Sequence, residues 1–189
     1  MKTLYKNEQS GRSMVEMLGV LAIIGVLSVG GIAGYSKAMA KFKLTKAMDQ
    51  VSTTVTNIRT LYSGQPNYDG LTTTVASQMG AVGAEMLNGV AAASATKAYN
   101  AFNGEVTVAA ADSNRTFTVK FDGLGKEACV ALATADWGSG SGSGLVSVTT
   151  GPTKKEGTTA AATLPLKLAD AAAGCSDNAD KNSVEWKYY

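Results

Sequence analysis

The strongest pattern along the chain is a continuous apolar run close to its N-terminus. Between Met14 and Gly34 the side chains are apolar or small, and Glu16 is the single ionisable residue among them. As a helix that rises about 1.5 Å per residue, this run spans roughly 31 Å, which is the thickness of a bilayer hydrocarbon core. A carboxylate inside such a segment costs on the order of 3 kcal/mol, so Glu16 is expected to have a partner of opposite charge.

After Tyr35 the continuous run is replaced by a single apolar stripe. Its members recur at alternating spacings of four and three residues: Leu44, Met48, Val51, Val55, Ile58 and Tyr62. This spacing predicts an amphipathic helix that continues to Ser63, where Gly64 and Pro66 end it. The same spacing fits a coiled coil. We favour packing against a sheet of the same chain, because a globular segment follows.

The next segment is predicted to begin irregularly and to continue as a hairpin. Residues 64–104 form a long connection with a short helix from Thr74 to Leu87, although Gly80 and Gly83 weaken its helical pattern. Alternating apolar and polar residues then predict two strands with one buried face. The hairpin has Val106 and Val108 on one strand, Phe117, Val119 and Phe121 on the other, and a turn at Asp112-Ser113-Asn114.

The C-terminal part of the chain mixes short elements with loops. A helix is predicted to begin near Gly125 and to end at Ala135, with Cys129, Val130 and Leu132 facing inward. Alternating glycine and serine over 138–144 predicts a flexible loop. The remaining predicted elements are a strand over 145–148, a strand followed by a helix over 164–173, and a terminal strand over 183–189.

Composition narrows the classes of function. A chain of 189 residues allows one membrane-proximal helix and one modest globular domain. The net charge of +2 implies no broad basic face, so nucleic-acid binding is not predicted. The chain has no histidine and two cysteines, which removes the usual zinc sites and any histidine-based triad or general base. We therefore predict no enzymatic activity, no metal site and no cofactor.

The residues around the start of the apolar run have a specific spacing. Gly11 is followed after four residues by Glu16 and then by about twenty apolar residues. This pattern resembles the prepilin signature of type IV pilins and of type II secretion pseudopilins. Arg12 departs from the pattern, since family members usually have Phe, Met or Leu there, and Ala33 stands where many type IVa members have a kinking proline.

The resemblance implies a role for each residue of this motif. A peptidase would cut between Gly11 and Arg12, and the new amino group of Arg12 would be N-methylated. Glu16 of one subunit would then neutralise the amino group of a neighbour as the helices stack into a filament. Desolvation offsets much of that attraction, so the pair would mainly set axial register while apolar burial drives association.

Several segments beyond the anchor resemble the type IVb major pilins in particular. They are Leu71-Thr-Thr, Met86 with Asn88-Gly89, the stretch from Phe102 to Val108, and Lys126-Glu-Ala-Cys129. The implied fold class is α+β, with a long N-terminal helix packed on an antiparallel sheet and a disulfide-closed C-terminal region. The implied domains are a leader peptide (1–11), a transmembrane and assembly helix (12–63) and a globular head domain (64–189).

The two cysteines both lie outside the apolar run. An exported domain folds in an oxidising compartment, so Cys129 and Cys175 are expected to form a disulfide. The alternative is two buried free thiols. The lysines of the leader, Lys2 and Lys6, are expected to hold the N-terminus in the cytoplasm.

The resemblance implies that the chain would be a structural subunit of a type IV pilus, with adhesion, aggregation, motility or conjugation-type roles. Its implied partners are further copies in a helical filament, the prepilin peptidase, and the assembly platform with its ATPase. The precursor would lie in the inner membrane, and the product in an extracellular pilus or a periplasmic pseudopilus.

Two alternatives remain open. The first is a type II secretion pseudopilin or minor pilin, for which Asp170, Asp177 and Asp180 are weak calcium-ligand candidates without a recognisable ligand spacing. The second, from another class, is a membrane-anchored extracytoplasmic binding or enzymatic domain. Ser139, Ser141 and Ser143 are its candidate nucleophiles, but the sequence offers them no histidine as base.

Overall fold

The computed structural model describes residues 14–138, 142–151, 153–156, 164–176 and 181–189. The chain divides into two units between Lys41 and Phe42. We call Phe42–Tyr189 the head unit. The predicted cleavage position at Gly11 and Arg12 lies outside the described residues.

The elements follow one another in a helix-rich first part and a strand-rich second part. The helices are α1 (Met14–Tyr62), α2 (Thr73–Gln78), α3 (Lys126–Thr134) and α4 (Leu168–Gly174). The strands are β1 (Ala98–Tyr99), β2 (Glu105–Ala111), β3 (Thr116–Leu124), β4 (Leu145–Thr150), β5 (Thr153–Glu156) and β6 (Asn182–Tyr188). Two short 3-10 turns cover Ala84–Met86 and Ala92–Ser94.

The first unit contains the apolar part of α1. Its most apolar 18-residue window has a mean hydropathy of 2.2 and buries none of its surface, so this helix is long and apolar enough to cross a membrane. Large apolar side chains are exposed on all sides of it, including Val15 (75%), Leu21 (62%) and Val26 (75%). A helix that is apolar all round is stable only when something other than water covers it.

The head unit is built on one six-stranded sheet in which each neighbouring pair is antiparallel. The strand order is β1-β2-β3-β6-β4-β5, so the strand that comes last in the sequence lies in the middle. Trp186 of β6 lies opposite Val119 of β3 on one side and Val148 of β4 on the other. Alternate residues of β6 are buried, which follows from the two-residue period of a strand with one face on a core.

The second part of α1 supplies one wall of that core. Val51 and Ile58 are completely buried, Val55 is 6% exposed, and the other predicted stripe members Leu44, Met48 and Tyr62 pack partly buried against the same cluster. This confirms packing of the helix within its own domain. The buried face also includes polar side chains that the stripe did not predict. One is Gln50, whose Oε1 accepts a hydrogen bond from the Ala101 amide at 3.0 Å.

The hairpin and the cysteine helix are confirmed as β2–β3 and α3, and two of the three predicted C-terminal strands are confirmed as β4 and β6. The predicted helix over Thr74–Leu87 is wrong in extent, because α2 ends at Gln78 and Gly80 adopts a φ of 75°. That turn redirects the chain and buries Ala81 and Val82.

Two further predictions for the head unit need correction, and two strands were missed. Residues 164–167, which the structure describes, form no strand before α4. Their backbone is irregular, and the side chains of Leu164 and Leu166 are nevertheless buried. Val130 is only partly buried in α3. The edge strands β1 and β5 were not predicted from the sequence. Each is short and polar or small in composition, so the periodic signal was too brief to detect.

Candidate functional site

The predicted assembly residue, Glu16, lies in the first turn of α1 and is exposed. The described part of the chain contains no salt bridge to Glu16; its salt bridges involve Lys97, Lys120 and Lys187.

Apolar side chains surround this carboxylate. Met17 and Leu18, on the helix beside it, expose 54% and 65% of their surface, and Val15 exposes 75%. When this surface is covered by lipid or by other helices, water leaves the neighbourhood of Glu16 as well. A carboxylate in such surroundings is stable only beside a cation or hydrogen-bond donors. The described residues around Glu16 therefore combine exposed apolar surface with a single carboxylate.

The disulfide between Cys129 and Cys175 is confirmed, with Cα atoms 5.9 Å apart. Cys129 lies in α3 and Cys175 follows directly after α4, and both are completely buried. The bond joins the two small helices that pack together and that precede the central strand β6. Neither cysteine is a free thiol, so the alternative of two buried thiols is wrong.

The end of the central strand is attached to α1 by a residue that the sequence reasoning missed. Arg59 Nε donates a hydrogen bond to the carbonyl oxygen of Tyr189 at 3.1 Å. Its guanidinium carbon lies 5.0 Å from the centre of the Tyr188 ring, which is a cation–π arrangement. Burial raises the pKa of the Tyr188 hydroxyl to about 12, although the positive charge of Arg59 opposes this shift. The sequence pointed to Arg59 in one way only, because a cationic residue directly follows Ile58 of the buried stripe.

The hairpin turn predicted at 112–114 is confirmed and serves as an attachment point for the connection after α1. Its three residues have φ values of 50°, 58° and 65°. Asn114 donates a side-chain hydrogen bond to Asp69 at 2.9 Å, and its carbonyl accepts one from the Tyr68 amide at 2.8 Å. The start of the 64–104 connection is thus held against the tip of the β2–β3 hairpin.

A carboxylate at this turn also links the hairpin to the central strand. Asp112 accepts a hydrogen bond from the Thr116 hydroxyl at 2.7 Å, and Lys187 Nζ lies 3.2 Å from both of its carboxylate oxygens. The Thr116 hydrogen bond, followed by that from Lys187, lowers the pKa of Asp112 below its ordinary value. The ion pair between Asp112 and Lys187 therefore links the β2–β3 turn to β6.

The candidates for other chemistry are not brought together in the described residues. No group of three His, Cys, Asp or Glu residues within them could hold a metal ion. Asp170 lies in the first turn of α4, while Asp177 and Asp180 fall outside the described residues. Ser143 lines a groove of about 370 Å³ beside α1, whereas Ser139 and Ser141 also fall outside.

Comparison with known proteins adds a family and a fold. The family described as PilS N terminal matches residues 42–188. The major structural subunit of bundle-forming pilus from Escherichia coli is 30% identical over 140 residues, which are 73% of this chain and 70% of that protein. The toxin coregulated pilin of Vibrio cholerae is 26% identical over 132 residues, covering 69% of this chain and 59% of that protein.

A solved structure has the same fold. The crystal structure of TcpA, a type IV pilin from Vibrio cholerae El Tor biotype, aligns with a TM-score of 0.52 at 14% identity. The alignment covers 78% of this chain and 99% of that chain. At this level of identity the similarity concerns the arrangement of helices and strands alone.

Proposed function

This chain belongs to the PilS family of type IV pilins and is a structural subunit of a type IV pilus; on that premise, we propose how its precursor is processed and assembled. Residues 1–11 are a leader that the prepilin peptidase removes between Gly11 and Arg12, after which the amino group of Arg12 is methylated. Residues 12–63 anchor the precursor in the inner membrane and later form the filament core. Residues 64–189, which are the part of the head unit that follows α1, form the head domain on the filament surface.

The observation that carries this proposal is the exposed apolar surface of α1. The large apolar side chains from Met14 to Ile32 are between 53% and 84% exposed. Burying one such side chain contributes about 2 kcal/mol, so covering a dozen of them contributes on the order of 20 kcal/mol. Lipid covers this surface in the precursor. Neighbouring copies of the same helix cover it in the filament, which explains how one segment serves both states.

Glu16 gives this otherwise unspecific surface a preferred register. Once the helices are bundled, the carboxylate must be neutralised, and cleavage after Gly11 creates an ammonium group close to the same end of each helix. Pairing Glu16 with the ammonium of a neighbouring subunit compensates both of these charges. A shifted register would leave both charges buried and unpaired, at a cost of about 3–5 kcal/mol. In this chain the guanidinium of Arg12 adds a second cation beside that ammonium.

The proposed partners follow from these steps. The prepilin peptidase acts on Gly11, an assembly platform with its ATPase moves subunits out of the inner membrane, and further copies of the chain complete the filament. The filament is then extracellular.

Two substitutions test processing and pairing separately. In Gly11→Val the peptidase should fail, so mass spectrometry should find the intact precursor. In Glu16→Gln the precursor should accumulate normally in the membrane and be processed, while sheared surface material should contain little filament. Glu85→Gln, an exposed carboxylate of the head unit, is the matched control and should assemble normally. Normal filament yield from Glu16→Gln would contradict the pairing role, and mature protein from Gly11→Val would contradict the cleavage site.

A further inference from the structure

Two lysines follow the apolar run on α1 without any partner in the described part of the chain. Lys37 and Lys41 are both exposed, and no salt bridge among the described residues reaches either of them. They are four residues apart, so they lie on one face of the helix with about 6 Å between their Cβ atoms. Two like charges at this spacing destabilise a helix slightly, and an anion between them would remove that cost.

Their positions place them at a defined depth relative to the apolar run. Lys37 and Lys41 follow Gly34 by a rise of about 4.5 Å and about 10 Å along the helix. The headgroup layer of one leaflet begins at the hydrocarbon edge and is about 5–8 Å thick. Lysine side chains bend toward that layer while their methylene groups remain on apolar surface. Tyr35, which is 67% exposed, lies at the same boundary, where aromatic residues are favoured.

We propose that Lys37 and Lys41 form a binding site for the phosphate groups of anionic phospholipids in the leaflet on the head side of the membrane. The inference rests on the proposed insertion of Met14–Gly34 in a bilayer. Continuity with the apolar run favours lipid as the occupant, because phosphate groups are present at this depth wherever the helix spans. The contacts hold the subunit at a fixed depth, and they must be released before it leaves the membrane for a filament.

The same helix offers a matched control. Lys43 and Lys46 come later in α1, belong to the head unit, and are half-buried there. Removing them changes the net charge by the same amount as removing Lys37 and Lys41. A general charge effect would therefore treat the two pairs alike, whereas a headgroup site would involve the first pair alone.

The test uses the full chain in phosphatidylcholine vesicles that contain a minority of phosphatidylglycerol. Electron spin resonance of spin-labelled lipids measures how strongly each lipid is immobilised at the protein. Phosphatidylglycerol should be preferred over phosphatidylcholine by about fivefold per lysine, the factor that corresponds to roughly 1 kcal/mol. The preference should fall when salt is raised. It should be lost in Lys37→Gln/Lys41→Gln and largely kept in Lys43→Gln/Lys46→Gln.

Several results would overturn the inference. Equal immobilisation of both lipids by the wild-type chain would exclude a headgroup site, and equal losses in the two double variants would reduce the effect to net charge. A preference that is present at low protein density and lost at high protein density would make a second copy, in place of lipid, the favoured partner of these lysines. If no immobilised lipid is seen at all, the segment is not embedded, and the proposed membrane insertion itself fails.

Discussion

Removing the disulfide between Cys129 and Cys175 tests how the head unit is held together. The bond closes a loop with a sequence separation of 46 residues. In the chain-entropy relation, opening a loop of that length lowers the free energy of unfolding by about 4 kcal/mol at room temperature. The bond joins α3 to the residue directly after α4, so its loss removes the covalent link between these two helices.

The substitution should avoid creating new buried polar groups. Both cysteines are completely buried, so serine would place a hydroxyl in the core and add a separate penalty. We therefore choose Cys129→Ala/Cys175→Ala. For a domain of this size, 1 kcal/mol corresponds to a shift of about 2–4 °C in the unfolding midpoint. A loss of about 4 kcal/mol should thus lower the midpoint of the head unit by roughly 10 °C.

Fluorescence can report unfolding of the head unit in the full-length protein. Trp137 and Trp186 are the two tryptophans of the chain, and both lie in the head unit with ring centres 5.1 Å apart. Thermal unfolding should be followed in detergent under oxidising conditions and again with a reductant. The wild type should lose stability on reduction, whereas the double variant should show no response to the reductant.

Three outcomes would refute the reasoning. An unchanged midpoint for the double variant under oxidising conditions would mean that the loop is already constrained by other contacts in the unfolded chain. A variant that still responds to the reductant would mean that the reductant acts on something other than this bond. A shift below about 2 °C would likewise be too small for the loop-closure term.

The other predictions concern single residues of the head unit. Arg59→Met should lower the free energy of unfolding by about 1–2 kcal/mol through loss of a charged hydrogen bond and a cation–π contact, measured by urea titration. The pKa of Asp112 is lowered in the folded state, so its carboxylate adds to the free energy of unfolding. That contribution is complete above the ordinary pKa of Asp112 and is lost as the pH falls through the pKa of the folded state. Asp112→Asn should therefore make the free energy of unfolding less dependent on pH in the acid range. Gly104→Ala should destabilise the fold because its methyl group would overlap the Asp122 carbonyl, whereas Gly64→Ala meets open space and should be neutral in the same titration.

Sequence patterns predicted those elements whose signal is local and repeated. The stripe on α1 recurs over five helical turns, and the buried positions Val51, Val55 and Ile58 follow from it directly. The β2–β3 hairpin could be predicted equally well, because apolar and polar residues alternate along its strands and its turn residues favour positive φ. The helix predicted to reach Leu87 failed at Gly80, where a single left-handed residue outweighed an apolar pattern that continued past it.

Contacts between distant parts of the chain were beyond such reasoning. Arg59 carries no local sign that it will meet Tyr188 and Tyr189, because that contact joins residues about 130 positions apart and exists only after β6 is in place. The network of Asp112, Thr116 and Lys187 has the same origin. Each depends on the register of strand pairs, which composition and periodicity leave undetermined.

The order of side chains along the chain was sufficient to predict the membrane-length apolar helix with its one acid, because that prediction follows from the free energy of moving single residues out of water. The sequence also showed that a disulfide could only join Cys129 to Cys175, but the structure was needed to decide between that bond and two free thiols. Tertiary structure alone decided that the last strand lies in the middle of the sheet, between β3 and β4. Strand order depends on how the apolar faces of several helices and strands pack into one core. The free energy of that packing is determined only when the whole head unit has folded.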